Sequence, residues 1–274
     1  VAEKLNLKKL AFIGGGAMGE AIIKGITSAK LLNPGDIFVG AHRQERAEYL
    51  HTAYGITGVV DNRAAVKDAD MVILAIKPQM VDSVLDSALV ASVPDSAVIL
   101  SIMGSVTIEK ISGIFSGHPV IRTMPNTPLA VGAGMTAIAS GPGVCENALC
   151  IAEQIFGCCG ETIRVHEKDI EAVTAVSGCG PGYVYVMIDA LADAGVMAGL
   201  PRAAAIKLAA QTFAGSGRMV LETGKHPAVL RDMVTSPGGT TIAGIKALEN
   251  GSVRGALYNA VQAVLTRSEE LKKQ

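Results

Sequence analysis

Over the first 165 residues, short apolar and β-branched runs alternate with stretches in which apolar positions recur every three or four residues. Such alternation predicts parallel strands joined by crossover helices. Strands are expected over residues 9–13, 36–41, 57–60, 71–76, 97–102 and 120–124, with helices over 17–29, 43–53, 78–88 and 107–115. Segments 71–76 and 97–102 are apolar nearly throughout, as strands covered by helices on both faces should be. Two more strands, 135–139 and 162–165, flank a helical 145–156.

After residue 166 the strand pattern stops and alanine-rich helical periodicity takes over, at 170–176, 183–197, 202–223, 241–248 and 253–271. The expected fold class is therefore α/β, a first domain over 1–165 followed by an all-α domain over 166–274. Within 184–197 and 203–220, apolar residues lie on more than one helix face. They must be buried, either inside one subunit or against a second copy of the chain, in a homodimer or a higher homo-oligomer built of dimers.

Composition narrows the function. The 274 residues are 49% hydrophobic and 18% charged, with a formal net charge of −1, so no overall field recruits nucleic acid or a membrane surface. Small-molecule chemistry is the better expectation. The five cysteines (145, 150, 158, 159 and 179) form no metal-binding spacing and no even disulfide set, which predicts no metal site, reduced thiols and small apolar packing roles. Residues 1–9 carry no apolar leader core, and no run approaches the ~20 apolar residues of a bilayer span. A soluble cytoplasmic protein is expected; an organelle stays open should a transit peptide have preceded Val1.

The most informative local signal follows the first strand. Ile13 leads into Gly14-Gly15-Gly16-Ala17-Met18-Gly19, a G-x-G-x-x-G that opens a helix. Gly14 would permit the tight turn, Gly16 would admit a pyrophosphate, and Gly19 would let the helix pack closely on the strand. The helix start offers free N–H groups to the phosphates. About 20 residues on, where NAD enzymes place a carboxylate for the ribose, the chain reads Gly40-Ala41-His42-Arg43. Arg43, with Arg46 one turn later, would pair a 2′-phosphate and favour NADPH over NADH, although both would also suit a solvated helix face. Lys77, in the turn Ala75-Ile76-Lys77-Pro78, either borders the cofactor or is surface charge.

Three further segments add a second layer: Arg122-Thr123-Met124-Pro125-Asn126-Thr127-Pro128, Val176-Ser177-Gly178-Cys179-Gly180-Pro181-Gly182-Tyr183, and Asp232-Met233-Val234-Thr235-Ser236-Pro237-Gly238-Gly239-Thr240-Thr241. In this order behind the glycine motif they resemble pyrroline-5-carboxylate reductases, from about Leu10 to the last helix. The resemblance implies a Rossmann-type dinucleotide-binding domain, an interlocked helical dimerisation domain, and reduction of 1-pyrroline-5-carboxylate to proline. For the cofactor it implies Ile13 to Gly19, Ala41, His42, Arg43, Asn62, Ala75 to Pro78, and the turn Ile102, Met103, Gly104. For the substrate carboxylate it implies Ser236, Gly239, Thr240 and Thr241, with the Thr241 hydroxyl near the imine nitrogen. Asn62 would also serve simply as a helix cap.

Two departures stand out. The family's usual Ser-Gly-Ser-Gly-Pro-Ala reads Ser177-Gly178-Cys179-Gly180-Pro181-Gly182, and its Ala-Ala-Gly turn reads Met103-Gly104-Ser105. Hydride transfer to a cyclic iminium needs no strong acid, in keeping with substrate motifs that hold no Lys or His; His226 is read as structural or solvated. A β-hydroxyacid dehydrogenase would carry a lysine on the long interdomain helix, and residues 179–197 have none. A module that merely senses NADPH would not need the polar loop at 236–241.

Overall fold

The computed structural model describes residues 4–272. The chain divides into two compact units, one running to Gly178 and joined by the end of the last helix from Ser268, the other spanning Cys179–Arg267. The division falls a dozen residues beyond the composition shift near 165, because Ile170 and Ala175, past the last strand, are buried in the first unit.

In the first unit β1 (Leu10–Ile13) leads to α1 (Ala17–Ser28), β2 (Ile37–Gly40), α2 (Gln44–Tyr54), β3 (Thr57–Val59), α3 (Asn62–Val66) and β4 (Met71–Leu74). The chain continues through α4 (Val81–Val84), α5 (Ser87–Val90), β5 (Val98–Ser101), α6 (Ile108–Ile114), β6 (Val120–Pro125), β7 (Gly134–Ser140), α7 (Glu146–Gly157), β8 (Gly160–Arg164) and α8 (Ile170–Val173). The eight strands form one sheet in the order β3-β2-β1-β4-β5-β6-β7-β8, parallel except where β7 runs against β6. Strand order reverses between β1 and β4, the switch point at which doubly wound sheets bind ligands.

Alternation along each strand builds two cores. Leu10 and Phe12 of β1 face a layer that includes Ile22 and Ile26 of α1 and Ile155 and Phe156 of α7. Ala11 and Ile13 face the opposite layer, with Val66 of α3, Leu89 of α5 and Ile111 of α6. The central strands are thus covered on both sides, as their continuous apolar character anticipates.

Local chemistry overrides the pattern in several places. The helix expected over 78–88 is broken into a 3₁₀ turn (Pro78–Met80), α4 and α5, because the Asp86 carboxylate accepts the Leu89 N–H at 2.8 Å and starts a new helix. Asp61 caps α3 in the same way, through the Arg63 N–H at 2.9 Å. The segment after α8 continues as a π-helical turn, Thr174–Gly178.

The second unit contains α9 (Gly180–Met197), α10 (Arg202–Thr223), α11 (Pro227–Met233), α12 (Thr240–Asn250) and most of α13 (Val253–Lys272). Sequence periodicity passed over α11, which begins with Pro227 in its first turn and uses His226 Nδ1 to accept the Ala228 N–H at 3.2 Å. Helices α9 and α10 pack where Gly195 meets Ala205. Among the described residues, the fully buried cluster of this unit is three alanines, Ala192, Ala205 and Ala209. Met197 is 87% exposed and Leu208 55%, so the apolar faces that periodicity marks for burial are not buried inside the single chain. No helix among the described residues is long and apolar enough to cross a membrane.

One charged cluster ties the sheet to its periphery. The Arg122 guanidinium, on β6, is buried; it donates to the Gly104 carbonyl and to Glu167 Oε1 at 3.1 Å, with Glu171 at 3.9 Å. The same Glu167 oxygen accepts the Ile108 N–H at 2.6 Å. Glu167→Ala would leave a buried cation underpaired and an amide without its acceptor. Urea denaturation should show the first unit destabilised by about 2–4 kcal/mol, against under about 0.5 kcal/mol for an exposed control such as Glu45→Ala.

Candidate functional site

At the carboxyl ends of β1, β2 and β4 the first unit opens a cavity of about 360 Å³. It brings together Gly14, Gly15 and Gly16, Ala41 to Arg43, Asn62, and Ala75 to Lys77. Gly14 and Gly19 each have a distinct geometric reason to lack a side chain. Gly14 adopts φ +105°, and a Cβ there would sit 2.5 Å from the Ala75 carbonyl oxygen. A Cβ at Gly19 would lie 2.8 Å from the Gly14 carbonyl oxygen, so α1 packs tightly behind the turn. Gly16, by contrast, faces open space and precedes α1 as its N-cap with no side-chain hydrogen bond, leaving the first-turn amides available to an anion. The cradle thus fits a dinucleotide pyrophosphate.

Other expected residues stand behind or beside this cavity. Ile13 is fully buried in the core, Ala17, Met18 and Gly19 belong to α1, and Pro78 starts the 3₁₀ turn after Lys77. In the turn after β5, Met103 is 1% exposed and packs into the core, its N–H donating to Ser101 Oγ at 3.1 Å. Any contribution of Ile102, Met103 and Gly104 to a ligand is therefore made by backbone and by Ile102, not by the Met103 side chain.

Asn62 is the first helical residue rather than the cap, which is Asp61. Its side chain lies against Gly40, where a Cβ would fall 1.9 Å from Asn62 Oδ1. Gly40, Val60, Met80 and Val84 also line the cavity without being expected as its wall, and Arg46, expected beside a 2′-phosphate, lines it too. Gly40 was legible as the last residue of β2; the apolar three depend on tertiary placement.

Arg46 departs from the role the pattern suggests. Its Nε donates to the Gly15 carbonyl at 2.7 Å, and its Nη2 is ion-paired with Glu20 Oε2. Tyr49 and Tyr54 donate to Glu20 Oε1 at 2.9 and 2.8 Å, and the guanidinium lies over the Tyr49 ring. Arg46 is thus already committed to protein partners and clamps the glycine turn onto α1 and α2. Arg43 is exposed and lines the same cavity.

In the helical unit, Ser236, Thr240 and Thr241 are exposed and Gly239 is half-buried. Gly239 N–H donates to the Ser236 carbonyl at 3.0 Å, Gly238 has φ +69°, and α12 begins at Thr240 with no side-chain cap. This tight turn presents the hydroxyls and free amides of a helix start together. Two other motif positions meet within the first unit: Asn126 Nδ2 donates to Ser177 at 3.1 Å (carbonyl) and 3.2 Å (Oγ), while its Oδ1 accepts the Met135 N–H.

Burial alone would raise the Glu20 pKa, but hydrogen bonds from Arg46, Tyr54 and Tyr49 hold it below the usual carboxylate range. The Tyr54 hydroxyl is pushed up to about 12, first by burial and then by its bond to Glu20. Two pH limbs follow. Tyr54 contributes stability fully present below its ordinary value near 10 and lost as pH rises through about 12. Glu20 contributes stability present above the ordinary carboxylate value of about 4 and lost as pH falls below it. Thermal denaturation against pH should show Tyr54→Phe flattening the alkaline limb. Glu20→Gln should lower neutral-pH stability by about 1–2 kcal/mol and flatten the acid limb; unchanged limbs would disprove the clamp.

Comparison with known proteins adds an independent line. Residues 167–271 match a family model described as pyrroline-5-carboxylate reductase dimerisation, and residues 9–104 match NADP oxidoreductase, coenzyme F420-dependent. Along the full chain, the pyrroline-5-carboxylate reductase of Synechocystis sp. is 46% identical over 265 residues, covering 97% of this chain and 98% of the relative. The solved structure of the Coxiella burnetii pyrroline-5-carboxylate reductase superposes with a TM-score of 0.91 at 34% identity, over 97% of this chain and 99% of that one. The Plasmodium falciparum pyrroline carboxylate reductase, solved with NADP bound, gives a TM-score of 0.84 at 32% identity, over 97% and 98% of the two chains. With a nicotinamide-type cradle at the switch point and likeness of this extent along its whole length, the chain belongs to the pyrroline-5-carboxylate reductase family.

Proposed function

We propose that this chain reduces 1-pyrroline-5-carboxylate to L-proline, the last step of proline biosynthesis, with NADPH as the preferred cofactor and NADH a poorer one. The observation that carries the reading is a glycine cradle at the β1–β4 switch point in a chain 46% identical, over nearly its whole length, to such a reductase. The absence of lysine from residues 179–197 leaves a β-hydroxyacid dehydrogenase without its expected catalytic group. The bound nicotinamide supplies the hydride. The protein's part is to bind, align and exclude water.

On the cofactor side, the amides opening α1 take the pyrophosphate between Gly14 and Gly16, and Asn62 and Lys77 border the same cavity. Arg43 takes the 2′-phosphate, since β2 ends without a carboxylate for an unmodified ribose. On the substrate side, the amides and hydroxyls of Ser236, Gly239 and Thr240 hold the carboxylate at the start of α12. Thr241 donates its hydroxyl in a hydrogen bond to the ring nitrogen in its neutral imine form, assisting the protonation that gives the iminium to which hydride is delivered. The exposed apolar faces of the helical unit pair with a second copy, making a homodimer or an assembly of dimers.

Loss of nicotinamide absorbance on mixing protein, NADPH and pyrroline-5-carboxylate tests the activity; no turnover would refute it. Arg43→Ala should raise KM for NADPH about 10- to 100-fold, with little change for NADH. Thr241→Val should lower kcat about 10- to 100-fold while Thr241→Ser keeps most of it. Wild-type turnover in Thr241→Val would remove that residue from the mechanism.

A further inference from the structure

The mechanism makes no use of the seam between α1 and the end of α7, yet that seam holds an unusual pair of side chains. Cys158 ends α7 as its C-cap and Cys159 follows, leading into β8. Consecutive residues inside a helix point in divergent directions. Here the helix ends between them, and the two Sγ atoms converge to 3.7 Å. Both thiols are free; Cys159 is buried and Cys158 partly exposed. They seat in a notch made by Gly25 of α1, where a Cβ would stand 2.2 Å from Cys159 Sγ and 3.0 Å from Cys158 Sγ. The Cys158 thiol also lies 2.9 Å from the Ile155 carbonyl in the last turn of α7, an alternative acceptor to Cys159 for its single proton.

We propose that Cys158 and Cys159 form a two-thiol binding site for a soft, thiophilic centre with two exchangeable positions, of the trivalent arsenical class. The reaction is a condensation: an organic arsenic(III) oxide takes both sulfurs, two S–H bonds break, two As–S bonds form, and both protons leave with the oxygen as water. Arsenic and sulfur keep their oxidation states. No oxidant is needed.

A disulfide between the same two residues is disfavoured. Adjacent Cα atoms are about 3.8 Å apart across a trans peptide, below the roughly 4.4–6.8 Å that disulfides usually span. One bridging atom between the sulfurs relieves that strain. Access begins at Cys158, the partly exposed member. The hydrogen bond from Cys158 pulls the Cys159 thiol below its ordinary value despite burial, and the same bond, with burial, pushes Cys158 up. Cys145 and Cys150, exposed near the start of α7, serve as internal controls.

The test is native mass spectrometry of the intact protein with phenylarsine oxide, in excess monothiol. The expected result is a single adduct per chain that survives the monothiol and is removed by a dithiol. It should be lost in Cys158→Ser and in Cys159→Ser, and kept in the Cys145→Ser, Cys150→Ser double variant. Because a buried serine can disturb folding, each single variant is first checked for a wild-type circular dichroism melt, with Cys158→Ala and Cys159→Ala as replacements. An adduct that persists without either thiol, or that forms only after denaturation, would overturn the proposal.

Discussion

Between the ends of β1 and β4 there is no space for a side chain, and the dinucleotide-binding unit is organised around that exclusion. A Cβ on Gly14 would meet the carbonyl of Ala75, and one on Gly19 would meet the carbonyl of Gly14. Two adjacent strands and the helix that follows the first are thereby drawn together at the sheet's reversal of order. The start of α1 follows directly on the cavity wall with no side-chain cap on its amides, and Gly16 adds nothing in front of them. A cation held at 2.7 Å from the Gly15 carbonyl then fixes the turn from outside. Shape comes from what glycine lacks, and rigidity from Arg46 and Glu20.

The strands of the first unit were legible because each is buried by a simple period. Leu10 and Phe12 look one way, Ala11 and Ile13 the other, and both faces meet helices. Glycine spacing, read with the strand before it and the helix after it, marked the cavity floor for the same reason: the constraint is local. What could not be read were features set by a side chain reaching across the fold. Arg46 carries a charge at the correct helical spacing for a phosphate, yet Glu20, distant in sequence, occupies it. Asp61 and not Asn62 caps α3, which frees Asn62 to lie on Gly40. Met103 looks like a ligand-side turn residue and is core.

Helix boundaries failed where a polar side chain competed with the apolar period. Asp86 restarts a helix that hydrophobic spacing alone would run through, and His226 with Pro227 opens one that spacing alone would miss. Both are capping events, in which one acceptor satisfies an amide that the helix leaves unpaired. Arg122 is the reverse case: a strand position that reads as apolar by its neighbours holds a buried cation, tolerable only because Glu167, Glu171 and the Gly104 carbonyl surround it.

The helical unit carries one more implication. A fold whose buried interior amounts to Ala192, Ala205 and Ala209, with long aliphatic side chains left outside, has little cohesion to call its own. When structure depends on association, mass action enters the folding equilibrium. The melting point of such a part is then a function of protein concentration, and dilution alone is a denaturant.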